Sequence, residues 1–202
     1  MDSKSQIINT LRGDQVPETD LPSLAGPWLT FQRPHDQFRE VLSAVGGQAL
    51  AAPHEGDLPQ LLAQLPSFRA AQHVWSLVPA VASVGRDWNA VTDPHELEVL
   101  DYCVVPGEFG VAENAAVWIA QPTVPHRAAL VITQHLVLVV PAREIIHNMH
   151  EAYARVSPEQ VPFGMFISGP SKTADIEQSL VIGAHGARSL TVVLVGMEDF
   201  GV

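Results

Sequence analysis

The densest group of ligand-binding residue types lies between residues 166 and 177, in the segment FISGPSKTADIE. An apolar run leads through Gly169 and Pro170 into a helical pattern that begins near Thr173. A strand, a tight loop and a helix N-terminus in this order point unpaired backbone N–H groups at whatever lies above the loop. The loop therefore predicts a site for a small anionic ligand. Its predicted ligand-binding residues are Ser168, Gly169, Ser171, Lys172 and Thr173.

Two acids oppose an anion at this loop. Asp175 and Glu177 fall in the first turn of the predicted helix, 173–183, where a carboxylate complements the helix dipole by about 0.3–1 kcal/mol. A ligand loop and a well-capped helix therefore both fit, and both acids join the candidate site. A phosphate loop fits less well, because Pro170 stands where the P-loop lysine should follow the second glycine. His185, just past the predicted helix, can face the same crevice.

A second group, GEFGVAEN at residues 107–114, joins two apolar segments. Its glycines let the backbone approach a ligand, and Glu113 supplies a carboxylate that could act as nucleophile or base, with Asn114 beside it. The alternative is a solvated hairpin connection, because loops usually lie on the surface.

The elements that must position these residues alternate between helix and strand. The apolar spacing predicts a helix capped by Asp36 that carries Phe38, Val41, Leu42 and Val45 on one face. Pro141 is expected to begin a helix that continues through Tyr153. Short alternation of this kind is typical of an α/β layer architecture with a mostly parallel sheet. Residues 1–34 are predicted to form a Pro-rich N-terminal arm, and residues 35–202 a single α/β domain. The predicted strands are 48–52, 73–78, 115–120, 136–140, 163–168 and 190–195.

Composition excludes several classes of function. The net charge of −11 argues against nucleic acid and anionic membrane surfaces as partners. The single cysteine, Cys103, excludes a disulfide framework and a cysteine-based iron–sulfur or zinc site within the chain. The first residues lack the apolar core of a signal peptide, and no apolar run is long enough for membrane insertion. A cytoplasmic location is expected.

Two motifs resemble one known family. The segment ISGPSKTADIE, followed by LVIGAHG at 180–186, closely resembles the lactate-utilization (LUD) domain family of the LutC/YkgG type. The AEN segment at 112–114 is similar to that family's second motif, in which Ala-Glu is usually followed by Thr or Ser and then Gly. The resemblance covers residues 35–200. Asn114-Ala115 departs from the usual pair, and Ala187 stands where a proline commonly follows His-Gly.

The resemblance implies a fold and a function. The fold would be a three-layer α/β sheet with helices on both faces, similar to the NagB/RpiA/CoA-transferase architecture. The chain would be a non-redox subunit, without a cofactor of its own, of a cytoplasmic complex that oxidises L-lactate to pyruvate with iron–sulfur partner subunits. By analogy with related folds, Glu113 is the catalytic candidate. The alternative is a stand-alone enzyme or binding protein for a small carboxylate, sugar phosphate or acyl-CoA, using Glu113 and the Ser168–Glu177 loop.

Overall fold

The computed structural model describes residues 2–13, 19–120, 124–157, 159, 161, 163–172 and 186–200. The helices in this part of the chain are α1 (Ser3–Gly13), α2 (Pro34–Ala44), α3 (Leu58–Leu62), α4 (Pro66–Ala70), α5 (Ala129–Ile132) and α6 (Met149–Arg155). The strands are β1 (Gln48–Ala52), β2 (Val74–Ser76), β3 (Tyr102–Pro106), β4 (Phe109–Val111), β5 (Ala116–Ala120), β6 (His135–Pro141), β7 (Ile145–Ile146), β8 (Gly164–Ile167) and β9 (Ser189–Val195). Among the described helices, none is both long and apolar enough to cross a membrane.

A five-stranded parallel sheet forms the centre of the fold, with strand order β1-β9-β6-β3-β2. Strands β6 and β9 are aligned along their whole length, from His135 opposite Ser189 to Pro141 opposite Val195. The prediction of an α/β fold with a mostly parallel sheet is confirmed. The predicted strand 48–52 coincides with β1, and the other predicted strands differ from the observed ones by only a few residues at their ends.

Both faces of this sheet are covered by other elements. Because the side chains of a strand alternate between its two faces, successive residues are buried on opposite sides. One face carries Cys103, Leu138 and Val192, which pack toward α2 and a second sheet. The other face carries Val104, Val137 and Val193, which pack against α3 and the neighbouring segments. The continuous Leu and Val content of β6 and β9 follows from this two-sided burial.

The second sheet has four short strands in the order β7-β4-β5-β8. Strand β5 pairs antiparallel with both β4 and β8, whereas β4 and β7 are parallel. Its outer face holds Phe109, Trp118 and Ile146, which are buried together with Ala152 of α6. The fold is therefore layered. Helix α3 and its neighbours cover the outer face of the parallel sheet, and α6 covers the outer face of the second sheet. Helix α2 lies beside the second sheet, between the two sheets.

Helix α2 joins the two sheets. Phe38 and Leu42 are fully buried in the main core, and the ring of Phe38 lies so close to Gly110 of β4 that a Cβ there would be 3.0 Å from its Cε2 atom. The predicted cap is wrong, since the N-cap is Arg33 and Pro34 begins the helix. Proline suits this position because it has no N–H to leave unpaired. Asp36 instead pairs with Arg33 in the first turn.

The predicted helix from Pro141 to Tyr153 is also wrong. The chain makes one 3₁₀ turn, Ala142–Glu144, then the strand β7, and only then enters α6. Ile145 and Ile146 are β-branched residues that favour a strand, and β7 adds to the edge of β4. Asn148 caps α6 by accepting a hydrogen bond from the Glu151 N–H. The pairing of β7 with β4 therefore replaces the helix that was predicted for this segment.

Replacing Phe38 with alanine is expected to lower the free energy of unfolding by about 3–5 kcal/mol, because a fully buried ring would leave a cavity between the two sheets. Urea unfolding followed by circular dichroism measures this change. The control is Ile7→Ala in α1, whose side chain is 61% exposed and should contribute less than about 0.5 kcal/mol. Equal effects of the two substitutions would contradict the position assigned to α2.

Candidate functional site

The two motifs singled out in the sequence meet in the structure. The hairpin turn between β4 and β5 contains Asn114, and the loop after β8 begins with Ser168. The Ser168 hydroxyl donates a hydrogen bond to the carbonyl oxygen of Asn114 over 2.7 Å. The contact joins residues 54 positions apart and arises because β5 and β8 pair antiparallel, which brings the start of one beside the end of the other.

Glu113 lies at the exposed tip of this turn. Its N–H donates to the carbonyl oxygen of His147 over 3.0 Å, and its carboxylate accepts a hydrogen bond from the Met149 N–H over 2.9 Å. Met149 is the first residue of α6, so the carboxylate also complements the positive end of that helix. The turn is thus anchored to the start of α6, and part of the hydrogen-bonding capacity of Glu113 is used in that anchoring.

The loop from Ser168 to Lys172 lies at the amino ends of the parallel strands. Gly169 has a φ of +75°, and a Cβ there would be 2.9 Å from the carbonyl oxygen of Val45, just before β1. The Ser171 N–H donates to the carbonyl oxygen of Ala187, just before β9, over 2.9 Å. Ligands of an α/β sheet usually bind in a crevice at the carboxyl ends of the strands. This loop lies at the opposite end because β8, which it follows, belongs to the second sheet.

A cavity of about 270 Å³ lies under this loop. Its walls are mostly apolar, with Met165 and Ile167 of β8 on one side and Leu136 and Leu190 of the parallel sheet on another. Ser168, Gly169 and Ser171 supply the polar part of the lining. An apolar cavity with a few polar groups is typical of a small-molecule site, although drug-sized ligands usually need about 300–1,000 Å³. This cavity suits a smaller molecule.

The predicted site residues divide into three groups. Asn114, Ser168, Gly169 and Ser171 are brought together at the turn and loop. Glu113 and Lys172 are both exposed, and neither lines the cavity. The other predicted members lie outside the described residues, as does the predicted helix 173–183. They are Thr173, Asp175, Glu177 and His185.

Sequence reasoning missed a crevice of about 210 Å³ at the carboxyl ends of the parallel strands. It is lined by residues that follow β2 and β3 and by residues near the carboxyl ends of β3, β6 and β9, and Glu55 supplies its charged group. A signal was present: Pro79, Pro106 and Pro141 each stand at or just beyond a strand end. Proline cannot continue a central strand, so three prolines after apolar runs mark one edge of the sheet.

The Cys103 thiol and the rings of His147 and His150 are held in packing contacts and hydrogen bonds within the fold. Cys103 is fully buried, and burial raises the pKa of its thiol to about 12, so it is not a reactive thiolate. The His147 Nδ1 atom accepts a hydrogen bond from the Phe31 N–H, and the His150 ring stacks on Trp28 at 3.5 Å between centroids. These contacts attach the end of the N-terminal arm to the start of α6. Within the described ranges, no cluster of three or more His, Cys, Asp or Glu could hold a metal ion.

Comparison with known proteins identifies relatives of the chain. The model of the LUD domain family matches residues 94–195. The proteins named "Lactate utilization protein C" include one from Oceanobacillus iheyensis that is 23% identical over 129 residues, covering 61% of this chain and 51% of that protein. The one from Geobacillus thermodenitrificans is 26% identical over 171 residues, covering 78% and 67%. The one from Anoxybacillus flavithermus is 26% identical over 163 residues, covering 79% and 69%.

The match to these relatives is therefore partial: it spans about half of the first relative's length and about two thirds of the other two. A solved structure is also similar, that of a DUF162 family protein from Deinococcus radiodurans. Its TM-score is 0.59 at 19% sequence identity, and the match covers 81% of this chain and 96% of the solved one. At this identity the likeness concerns the fold, and it agrees with the α/β layers described above.

Replacing Gly169 with alanine is expected to be more destabilising than the same change at Gly196. Both residues have a positive φ, so each substitution should cost about 1–2 kcal/mol of backbone strain. A Cβ at Gly196 meets no described atom within 4 Å, whereas one at Gly169 collides with Val45 and should cost about 1–3 kcal/mol more. Denaturant unfolding of both variants measures the difference. Equal costs would show that the loop does not pack on the end of α2.

Proposed function

Because the chain belongs to the LUD domain family, we propose that it takes part in lactate utilization. The observation that carries this proposal is the similarity to proteins named "Lactate utilization protein C", which extends over 61–79% of the chain. The family match, residues 94–195, includes the β4–β5 turn and the start of the loop after β8. The hydrogen-bonded junction of Ser168 with Asn114 therefore lies inside the matched segment.

The specific role proposed is that of a non-redox subunit which works with iron–sulfur partner subunits in a cytoplasmic complex oxidising L-lactate to pyruvate. Iron–sulfur clusters are held mainly by cysteine thiolates. This chain has a single cysteine, Cys103 on β3. Its side chain lies in the main hydrophobic core, and burial raises its pKa so that it stays a thiol. In this proposal the electrons of lactate pass to clusters on the partners, and no cofactor is assigned to this chain.

The junction of the turn and the loop is the surface proposed to face substrate or partners. Glu113 on the turn and Lys172 at the end of the loop are both exposed, and they are residue types of opposite charge. The Ser168 bond and the two hydrogen bonds between the turn and the start of α6 hold the Glu113 side of this surface in place. Such fixed positioning favours recognition of one partner or substrate geometry, because binding then costs little further conformational entropy.

A second candidate function is the binding of a small carboxylate by the isolated chain. The observation that favours it is the cavity of about 270 Å³ under the loop, whose polar lining comes from Ser168 and Ser171. A molecule the size of lactate or pyruvate fits this volume, and hydroxyl groups can donate to a carboxylate. Glu113 does not line this cavity, so in this alternative it would not touch the ligand there.

Deleting the gene is expected to abolish growth on L-lactate and to leave growth on pyruvate unchanged. The host should lack its other L-lactate dehydrogenases, so that they cannot mask the effect. Complementation with the wild-type gene should restore growth, and Glu113→Gln should restore it poorly if the carboxylate acts at the junction. Ser43→Ala, an exposed change on α2, is the matched control and should restore growth fully. Normal growth of the deletion strain on L-lactate would contradict a role in lactate utilization.

When the tagged chain is purified from cells grown on L-lactate, iron–sulfur proteins are expected to co-purify with it. Visible absorbance and acid-labile sulfide measure the clusters, and pyruvate formation from L-lactate with an artificial electron acceptor measures activity. The complex should be active and the isolated chain inactive. If the chain associates with no iron–sulfur protein, the subunit role is wrong. Thermal stabilisation of the isolated chain by lactate would then support the second candidate.

A further inference from the structure

A separate cavity of about 260 Å³ lies at the amino ends of the parallel strands, on the face covered by α3 and α4. The starts of three strands contribute Tyr102, His135 and Ser189 to its lining, and the first turn of α4 contributes Ser67. Leu190 is the one residue that it shares with the lining of the cavity under the 168–172 loop. The cavity is therefore a distinct site with its own polar groups.

Four polar side chains of this cavity form two hydrogen-bonded pairs. The Ser67 and Tyr102 hydroxyls are 2.7 Å apart, and the His135 Nδ1 atom is 2.7 Å from the Ser189 hydroxyl. The rings of Tyr102 and His135 stack with their centroids 4.7 Å apart, which fixes the orientation of both. In each pair one group donates and the other accepts, so further donors and acceptors remain for a ligand.

The Thr191 side chain lines this cavity without a described partner for its hydroxyl. Its side chain is only 5% exposed and lines the cavity, and its hydroxyl makes no hydrogen bond with any described residue. A hydroxyl that faces a cavity without a protein partner can donate to, or accept from, a ligand that enters the cavity. Thr133 shows the usual arrangement, since it is fully buried and its hydroxyl donates to the His135 carbonyl oxygen.

The charges around the cavity favour a neutral ligand. Its described lining contains no Asp, Glu, Lys or Arg. Burial, and then the positive charge of Arg188, lower the pKa of His135, and the Asp101 carboxylate opposes them. These effects together favour the neutral imidazole, and the two outside charges act on it in opposite directions. An ion in this cavity would lose hydration without gaining an opposite charge.

We infer that this cavity binds a small, uncharged, polar molecule that carries hydroxyl or amide groups, with Thr191, Ser189 and His135 as its hydrogen-bonding contacts. The ligand supplies the missing partner of the Thr191 hydroxyl. It lies between the strand starts and the segment that joins α3 to α4. The inference is independent of the proposed function, because Glu113, Lys172 and the 168–172 loop do not line this cavity.

Lactamide and L-lactate test the inference as a pair, because they share a shape and differ in charge. The imidazole signals of His135 are followed by NMR in ¹⁵N-labelled full-length protein at neutral pH during titration with each compound. Lactamide should shift these signals, and L-lactate at the same concentration should not. Thr191→Val keeps the side-chain shape and removes the hydroxyl, so lactamide should bind about fivefold more weakly, which corresponds to about 1 kcal/mol. Ser43→Ala, on the surface of α2, should leave the titration unchanged.

The unfolding midpoint gives a second, independent measurement. Thr191→Val should keep or raise the midpoint of the ligand-free protein, because no hydrogen bond is lost. Thr133→Val should lower it, because the His135 carbonyl loses its donor. The inference is overturned if lactamide leaves the His135 signals unmoved, if L-lactate shifts them equally, or if Thr191→Val binds lactamide as the wild type does. A midpoint lowered by Thr191→Val as much as by Thr133→Val would also overturn it.

Discussion

The need to bury both faces of strands β6 and β9 governs the rest of the structure. Apart from Thr191, their buried side chains on the two faces are Leu and Val, and a parallel sheet of this kind is stable only when both faces are covered. Segment α3–α4 covers one face. The other face is covered by α2 together with the second sheet, and Phe38 fills the space beside Gly110. Because apolar contacts cover both faces, the polar groups that can contact a ligand remain at the amino and carboxyl ends of the strands.

The second sheet explains why two distant motifs form one surface. Antiparallel pairing of β5 with β8 places the β4–β5 turn beside the loop that follows β8, and the Ser168 hydroxyl closes this junction on the Asn114 carbonyl. The same sheet brings β7 and the start of α6 against the turn, so Glu113 bonds to the Met149 N–H. An exposed carboxylate held in this way can present a defined charge to a partner. The arrangement suits a subunit that acts through a fixed surface.

Much of the fold could be predicted from the sequence because apolar spacing reports burial directly. Strand β1 coincided with its prediction, β6 and β9 differed only at their ends, and the apolar face of α2 with Phe38 and Leu42 was correct. The predictions failed where a short segment depends on a distant partner. Ile145 and Ile146 form a strand only because β4 is adjacent, and a two-residue strand has no periodicity of its own. The position of the site residues depends on strand pairing for a related reason. The motifs marked the turn and the loop, but pairing decided which sheet they belong to and at which end of the parallel strands they lie.

The two cavities at the amino edge are mechanically close although their linings are nearly separate. Gly46, which lines the cavity of Thr191, packs against Pro170 of the 168–172 loop, since a Cβ on Gly46 would lie 3.5 Å from the Pro170 ring. Gly169 packs against Val45 one residue earlier. The end of α2 is therefore a shared wall: one side faces the strand starts and the other supports the loop. The loop and the strand starts therefore depend on the same few contacts of Val45 and Gly46, because a closely packed interior leaves these neighbours little room to move independently.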